Sequence, residues 1–439
     1  MAGWLTAALY GLSLFIPVLA WRESHPALTG LDRVALAFAL GRLCGLIGAV
    51  CLVWQILFIT RVKVLEQRFG LDHLTRYHHL NAFVAVLCLL AHGPLVTWAH
   101  ADNAMATLSE QVLDFWKTWK GLQGAMIGQL LLVLLTFFAW RPLRDFFSYE
   151  WWYRGHLLGY LGVGLAFAHQ MGQGKDLVDG PKWFLAWWYL FHGLVLIGLL
   201  GRRFLMPLYR FWRHRFTVDR LVAEAGDATS IYISGRDLAA FPARGGQFVR
   251  VRFLATGFWS EAHPFSLSAP PDGCHLRLTI KRLGDFTRRL PDLPPGTRVL
   301  IDGPHGIFTA TRAFGPKVLL IAGGIGITPI RAIFEDLLAA GKDVLLLYAN
   351  RNEQGIHLRA ELETVAGNKA RIIHILSDDK GWPGEKGYLD EGKIKALVPD
   401  LVEREVFQCG PPPMMEKVRR TLARLGVPER HIYDERFSL

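Results

Sequence analysis

Apolar runs dominate the first 200 residues of the chain and become short after residue 215. A helix that crosses a bilayer needs about 20 predominantly apolar residues. Six runs come close to this length or exceed it, and they cover residues 4–21, 34–59, 80–98, 124–140, 151–171 and 183–200. The pattern predicts a six-helix, all-α transmembrane bundle over residues 1–210.

A different pattern follows, in which short runs of alternating apolar and polar residues are separated by turn residues. The runs FTVDRLVAEA, SIYISG and GQFVRVRFL are typical of antiparallel strands and predict a small β-barrel over residues 211–312. From Lys317 the pattern changes to an apolar strand, a glycine loop and a helix, followed by the strands DVLLLYAN, ARIIHIL and VFQCG. Strands that alternate with helices predict an α/β domain with a parallel sheet over residues 313–439.

The basic residues of the loops between the apolar runs predict an orientation. Segments 61–77, 141–154 and 202–215 hold four, three and five Lys or Arg, whereas segments 21–33, 99–123 and 171–182 hold two each. Because cytoplasmic loops carry the excess of basic residues, both termini are expected in the cytoplasm. Much of the net charge of +11 therefore reflects membrane topology, and we expect no nucleic-acid partner.

The five cysteines exclude two classes of site. Neither C-x-x-C nor C-x-x-C-H occurs, so the sequence indicates no disulfide framework and no covalently attached c-type haem. Any haem in this chain would be bound non-covalently.

Histidines near both ends of the third and fifth apolar runs are the main candidate ligands. The third run has His78 or His79 near one end and His92 near the other, and the fifth has His156 and His169. The predicted topology makes these two helices parallel, so the histidines would form two pairs at different depths. Polar residues inside a membrane are costly and usually functional, and histidine is an axial ligand of haem iron. Hydrogen bonding between helices is the alternative.

Two features of this membrane region remain open. The spacing of 13 residues between His156 and His169 leaves them roughly 140° apart on an ideal helix, so the fifth helix must twist or bend. Arg42 lies inside the second run, where its charge needs an anion such as a haem propionate, or must reach the membrane surface.

The second half of the chain contains three stretches suited to nucleotides. LGDFT, at residues 283–287, follows a strand and offers backbone N–H groups to a pyrophosphate. Gly323, Gly324 and Gly326 lie between a strand and a helix, which is the context of a dinucleotide-phosphate loop. Arg351 follows the next strand and could contact a 2′-phosphate, and Cys409 lies where a later strand ends. Ordinary turns, a solvated Arg and a buried thiol are the respective alternatives.

Together these motifs resemble the ferric reductase and NADPH oxidase superfamily, over nearly the whole chain. The motifs are HPFS at residues 263–266, LGDFT, DGPHG at 302–306, GGIGITP, CGPPPMM and the terminal ERFSL. The resemblance implies a dihaem membrane domain, an FAD-binding β-barrel and an NAD(P)-binding domain, the last two similar to ferredoxin–NADP reductase. It also implies His78 rather than His79 as ligand, and places Arg42 near the haem propionates.

The resemblance assigns further residues to cofactors. Ser266 would lie beside the reactive flavin nitrogen, Cys409 beside nicotinamide, and Phe437 would cover the flavin until nicotinamide displaces it. The expected FAD contacts are His263, Pro264, Phe265, Ser266, Ser268, Ile280, Lys281, Gly284, Asp285, Phe286, Thr287 and Phe437. The expected contacts with NADPH or NADH are Gly323, Gly324, Gly326, Thr328, Pro329, Arg351, Cys409, Gly410 and Pro411.

The implied activity is transmembrane electron transfer at the plasma (inner) membrane. Electrons would pass from cytoplasmic NAD(P)H through FAD and two b-type haems to an extracytoplasmic acceptor, namely O₂, a ferric chelate or a quinone. The sequence requires no partner protein. Two alternatives stay open: a haem-containing membrane subunit that serves a partner reductase, and a flavin diaphorase that the membrane half merely anchors.

Overall fold

The computed structural model describes residues 2–25 and 30–436 of the chain. Contacts divide it into two units, Met1–Phe204 and Leu205–Leu439, which are described separately.

Helices form the described secondary structure of the first unit. In chain order they are α1 (Ala2–Ser24), α2 (Arg33–Ile59), α3 (Lys63–Phe69), α4 (Leu71–Asn103), α5 (Leu108–Thr118), α6 (Leu122–Ala139), α7 (Arg141–Arg144), α8 (Tyr149–His156), α9 (Leu158–Gln173), α10 (Lys175–Val178) and α11 (Lys182–Leu199). Large apolar side chains such as Leu87 and Ile197 are more than two-thirds exposed, as expected for surfaces that face lipid.

Within the described residues, five helical stretches are long and apolar enough to cross a membrane, so the predicted count of six is not confirmed. They include α1, α2, α4, α6 and the stretch that begins with α11. The predicted fifth span is instead two shorter helices, α8 and α9, which meet at Leu157. The backbone N–H of Tyr160 donates to the Leu157 carbonyl at 3.1 Å, which tightens this turn. Tightening adds rotation in the direction that brings His156 and His169 closer to one face.

Small residues let α2 approach α4 closely. A Cβ at Gly41 would lie 2.9 Å from Val96 Cγ2, and one at Gly48 would lie 3.2 Å from Cys88 Cβ. Small residues allow such close backbone approach between membrane helices. The carbonyls of α2 can therefore accept hydrogen bonds from side chains of α4.

Antiparallel strands begin the second unit after helix α12 (Met206–His214). The elements are β1 (Thr217–Glu224), β2 (Ala228–Ser234), β3 (Phe248–Phe253), β4 (His263–Ser266), β5 (His275–Lys281), α13 (Asp285–Arg289) and β6 (Val299–His305). They form two described sheets, β1-β2-β5 and β4-β3-β6, which share one apolar core. Isolated bridges between Thr217 and Arg298 and between Leu267 and Leu278 link the sheets into a ring of strands. The predicted antiparallel domain is confirmed.

A parallel sheet follows, also as predicted. Its elements are β7 (Lys317–Gly323), α14 (Ile327–Ala339), β8 (Asp343–Asn350), α15 (Arg359–Ala366), β9 (Ala370–Leu376), β10 (Glu385–Lys386), α16 (Glu391–Leu397), β11 (Glu405–Cys409), α17 (Pro412–Arg424) and β12 (Ile432–Glu435). The strand order among described residues is β10-β9-β8-β7-β11-β12. The chain adds strands on one side of β7 and then crosses to the other. Ligands of such sheets bind at this switch, outside the carboxyl ends of β7 and β11.

Candidate functional site

His78 and His156 form the first histidine pair of the membrane unit. Their ring centres lie 6.1 Å apart. Nδ1 of His78 lies 3.0 Å from the Gln55 carbonyl of α2. When Nδ1 donates there, Nε2 of the neutral ring is free to bind a metal. The His78 ring contacts that of His156, whereas the His79 side chain is exposed, and the choice of His78 as the ligand stays a prediction.

His92 and His169 form the second pair, further along α4 and α9. Their ring centres lie 6.3 Å apart, and Nδ1 of His92 lies 2.8 Å from the Gly41 carbonyl. A Cβ at Gly45 would lie 2.7 Å from this Nδ1, so a larger residue there would displace the ring. Both α4 histidines are thus held by backbone carbonyls of α2.

The geometry of each pair fits one metal ion held between two imidazoles. Two imidazole–metal bonds of about 2 Å, plus roughly 1 Å from each nitrogen to its ring centre, give about 6 Å between ring centres. No group of three or more His, Cys, Asp or Glu within the described residues is suited to hold a metal. Two axial histidines suffice for haem, because the porphyrin supplies the equatorial ligands. The donor set therefore fits haem better than a protein-only metal site.

Arg42 makes an ion pair with a residue that the sequence reasoning missed. Its Nε and Nη2 atoms lie 2.7 and 2.5 Å from the two carboxylate oxygens of Asp176 in α10. A close ion pair of this kind offsets a charge that would otherwise be costly in a membrane. Contact between Arg42 and a haem propionate stays a prediction.

The flavin motif lies on β4, which is an edge strand of its sheet and pairs with β3. The Ser266 hydroxyl is buried and has no hydrogen-bond partner among the described residues, which fits a hydroxyl awaiting a ligand atom. The ring of His263 lies 4.0 Å from that of Phe286, and its Nε2 lies 3.0 Å from Glu261. Burial raises the pKa of the Glu261 carboxyl, but hydrogen bonds from His263 and Arg289 outweigh it and hold that pKa below its ordinary value.

The predicted pyrophosphate segment forms the start of α13. The N–H groups of Leu283 and Gly284 both lie 2.9 Å from the Thr287 hydroxyl. Asp285 extends into solvent, whereas Phe286 is buried in the barrel core. The Thr287 hydroxyl therefore caps two N–H groups at the start of α13, and Phe286 packs this turn against His263 of the flavin motif. Direct contact of its residues with FAD stays a prediction.

Other predicted FAD contacts lie inside the barrel. Ser268 is fully buried, and its hydroxyl accepts hydrogen bonds from Arg277 at 3.0 Å and Thr279 at 2.8 Å. Ile280 belongs to the apolar core, and Lys281 ends β5. Protein groups already engage Ser268, so its assignment rests on the resemblance alone.

The glycine loop meets the loop after β11 at the switch point of the parallel sheet. A Cβ at Gly326 would lie 2.3 Å from the Cys409 carbonyl, and one at Gly410 would lie 3.1 Å from Gly323 Cα. Glycine is required where backbones pass this closely. The two predicted nucleotide motifs therefore form one surface.

Side chains beneath this surface hold the glycine loop in place. The Tyr348 hydroxyl donates to the Gly324 carbonyl at 3.1 Å, and the Thr328 hydroxyl donates to the Ile325 carbonyl at 3.0 Å. Tyr348 is fully buried, so the hydrogen bond is shielded from water. Tyr348 was not predicted, although its place in the strand DVLLLYAN could have indicated it.

The remaining predicted residues have distinct environments. Cys409 is fully buried, and burial raises the pKa of its thiol well above the ordinary value, which keeps it protonated. Its contact with nicotinamide stays a prediction. Pro329 is buried in α14, Pro411 immediately precedes α17, and Arg351 is exposed after β8. Phe437 lies outside the described residues.

Comparison with known families agrees with this arrangement. Residues 44–167 match the ferric reductase like transmembrane component, residues 215–309 match an FAD-binding domain, and residues 320–420 match an oxidoreductase NAD-binding domain. The chain belongs to the ferric reductase and NADPH oxidase superfamily. As a member of this superfamily it combines a membrane component with both nucleotide-binding domains, and it is an oxidoreductase.

Relatives of this superfamily member match about half of its chain. Ferredoxin--NADP reductase B of Sorangium cellulosum is 32% identical over 222 residues, which cover 46% of the chain and 88% of that protein. The glycine betaine monooxygenase reductase subunit of Chromohalobacter salexigens is 28% identical over 239 residues, covering 52% of the chain and 64% of that subunit. A solved ferredoxin reductase in carbazole 1,9a-dioxygenase is 26% identical, with a TM-score of 0.45 over 51% of the chain and 68% of that structure.

Proposed function

We propose that this oxidoreductase moves electrons from cytoplasmic NAD(P)H across the membrane to a small-molecule acceptor on the other side. The observation that carries the proposal is the presence of two facing histidine pairs along α4 and the α8–α9 segment. When bound, FAD would take a hydride and release single electrons, and two b-type haems would carry these electrons in turn. The residues of the chain bind, orient and shield these groups.

The NAD-binding domain supports binding of NAD(P)H at the switch between β7 and β11. The glycine loop brings its backbone close to the ligand, and the buried Tyr348 hydroxyl fixes its shape. The Ser266 hydroxyl on β4 would donate to a flavin nitrogen, because it is buried without a partner among the described residues. These roles of Ser266 and of the glycine loop belong to the proposal.

The histidine pairs support a route through the hydrocarbon, which is about 30 Å thick. In this proposal His78 and His156 hold the inner haem, and His92 and His169 hold the outer one. The α2 carbonyls orient the α4 imidazoles, so little rearrangement is needed when a metal binds. The loop charges support an orientation with the second unit in the cytoplasm, and we propose the plasma (inner) membrane as the location.

Two finer points extend the proposal. Arg351 is exposed after β8, where a basic residue would meet a 2′-phosphate, so we propose a preference for NADPH. The acceptor is proposed to be O₂, giving superoxide, or a ferric chelate. Both are small enough to react without a docked partner protein.

Anaerobic reduction of the purified full-length protein tests the proposal. We expect NADPH to convert the haem absorption bands to those of the reduced form, to the extent that dithionite does. Haem that stays oxidised with NADPH while dithionite reduces it would contradict the proposed route.

The same assay with Arg351→Ala tests the preference for NADPH over NADH. We expect NADPH binding to weaken about tenfold, because one charged contact is lost, and the use of NADH to stay unchanged.

A further inference from the structure

A network of hydrogen bonds links His78 of α4 to Gln55 of α2 within the membrane unit. The Gln55 side chain donates to the His78 carbonyl at 2.8 Å, while the Gln55 carbonyl lies 3.0 Å from His78 Nδ1. The Asn81 amide donates to the Gln55 side-chain oxygen at 2.6 Å and to the Cys51 carbonyl at 2.8 Å. The helices α2 and α4 are thus linked through both the backbone and the side chain of Gln55.

The network extends to α1 through one hydroxyl group. The Tyr10 hydroxyl donates to the Asn81 side-chain oxygen at 2.9 Å. The Asn81 side-chain oxygen and its amide group therefore both have partners, and this leaves one orientation for the amide. Helix α1 lies outside the residues that match the ferric reductase like component, which begin at residue 44.

Such a network needs an explanation, because polar side chains inside a membrane are costly and usually functional. Helix association alone does not require it here, since the Gly41–Gly48 face already packs α2 against α4. His156, the other member of the pair, is held differently. Its ring stacks on Trp152 with centres 5.2 Å apart, and its Nδ1 is buried without a hydrogen-bond partner among the described residues. Within the described residues, the hydrogen bonds that orient the pair are therefore those of His78.

We propose that Tyr10, Gln55 and Asn81 are positioning residues that hold the His78 imidazole toward His156. Gln55 fixes the His78 backbone and ring, Asn81 fixes the Gln55 side chain, and Tyr10 fixes Asn81. Helix α1 thereby contributes to the inner site. This inference rests on the proposed haem ligation by His78 and His156.

The test uses the full-length protein in detergent with its haems bound. A site with two firm histidine ligands excludes carbon monoxide, whereas a loosened ligand lets it bind to the reduced iron. Gln55→Leu removes the donor to the His78 carbonyl, and Asn81→Leu removes the amide that holds this donor, while the Gln55 backbone carbonyl beside His78 Nδ1 is kept. We expect each variant to raise the fraction of haem that binds carbon monoxide by about fivefold, which corresponds to about one buried hydrogen bond to His78. Electron paramagnetic resonance should show the change in one low-spin signal only.

Tyr10→Phe and Ser13→Ala form a matched pair that separates an effect on the network from a general loss of bundle structure. Each removes one hydroxyl from α1. The Ser13 hydroxyl accepts from Trp54 Nε1 at 2.7 Å and donates to the Tyr10 backbone carbonyl at 2.7 Å, so it bonds to no side chain of the network. We expect Tyr10→Phe to raise the fraction that binds carbon monoxide by about twofold, less than the other variants because it lies one step further from His78. Ser13→Ala should match the wild type.

Two results would overturn the positioning role. One is wild-type low-spin signals and carbon monoxide binding in both Gln55→Leu and Asn81→Leu. The other, which decides the question if those two variants do not fold, is an identical response in Tyr10→Phe and Ser13→Ala. A wild-type protein that binds no haem would instead refute the proposed function, and NADPH–dye reductase activity shows in each case that the second unit is folded.

Discussion

Replacement of His92 by leucine is expected to remove one of the two haems and to abolish electron delivery across the membrane. His92 is held by the Gly41 carbonyl and faces His169, so its loss would leave the proposed outer haem with one protein ligand. The remaining haem cannot bridge a hydrocarbon layer of about 30 Å alone. The haem-to-flavin ratio should fall by about half, from two bis-histidine sites to one. NADPH–dye reductase activity should stay at the wild-type level, since it needs only the nucleotide-binding domains.

His192→Leu is the matched control for this variant. His192 is a histidine of α11 whose ring packs 4.7 Å from Trp188 and 5.1 Å from Phe167, and its Nδ1 lies 2.9 Å from its own helix at the Trp188 carbonyl. Both changes remove an imidazole from a helix of the same unit. An equal loss of haem in the two variants would show that His92 acts through packing and not as a ligand.

Replacement of Gly326 by alanine is expected to lower NADPH-dependent activity and to leave the haems in place, the reverse of the result for His92→Leu. The new Cβ would lie 2.3 Å from the Cys409 carbonyl and 2.8 Å from Gly410 Cα, so the glycine loop must move away from the loop after β11. Displacement of a binding group by about 1 Å can lower a rate by about 100-fold. We expect losses of this order in both NADPH–dye reduction and haem reduction by NADPH. Dithionite should still reduce both haems.

Gly392→Ala provides the control for this substitution in the same domain. Its Cβ would lie 3.7 Å from Asp390 Oδ1, an ordinary contact, near the start of α16. We expect NADPH-dependent activity and flavin content to match the wild type. If Gly326→Ala also keeps its NADPH-dependent activity, the nucleotide does not bind at the junction of these two loops.

The sequence predicts the nucleotide-binding half well because its patterns are local. Alternation identifies β1, β2 and β3, and the strand–glycine–helix pattern identifies β7 and α14. The short strands β10 and β12 have no such pattern, since they depend on pairing with β9 and β11. Pairing partners distant in sequence leave no periodic signal of their own.

The membrane half is harder to predict because its contacts depend on helix rotation. Spacing left His78 and His79 both open, and only the packing of α2 against α4 turns His78 toward Gln55. The break at Leu157 lies between Gly155 and Gly159, and glycine has a low helix propensity. The hydrophobic periodicity does not show whether such glycines lie within a helix or at its end. Asp176 lies in a predicted loop, so nothing in the sequence marked it as the partner of Arg42. Gln55 and Asn81 could have been noticed as polar residues within apolar runs.

Sealed membrane vesicles with the cytoplasmic face outward give the most direct test of transmembrane electron transfer. NADPH is added outside, and a protein or ferric chelate acceptor that cannot cross the membrane is trapped inside. Transmembrane transfer predicts that the trapped acceptor is reduced by wild-type vesicles and not by His92→Leu vesicles, while an external dye is reduced by both. Reduction of the external dye alone in wild-type vesicles would contradict it.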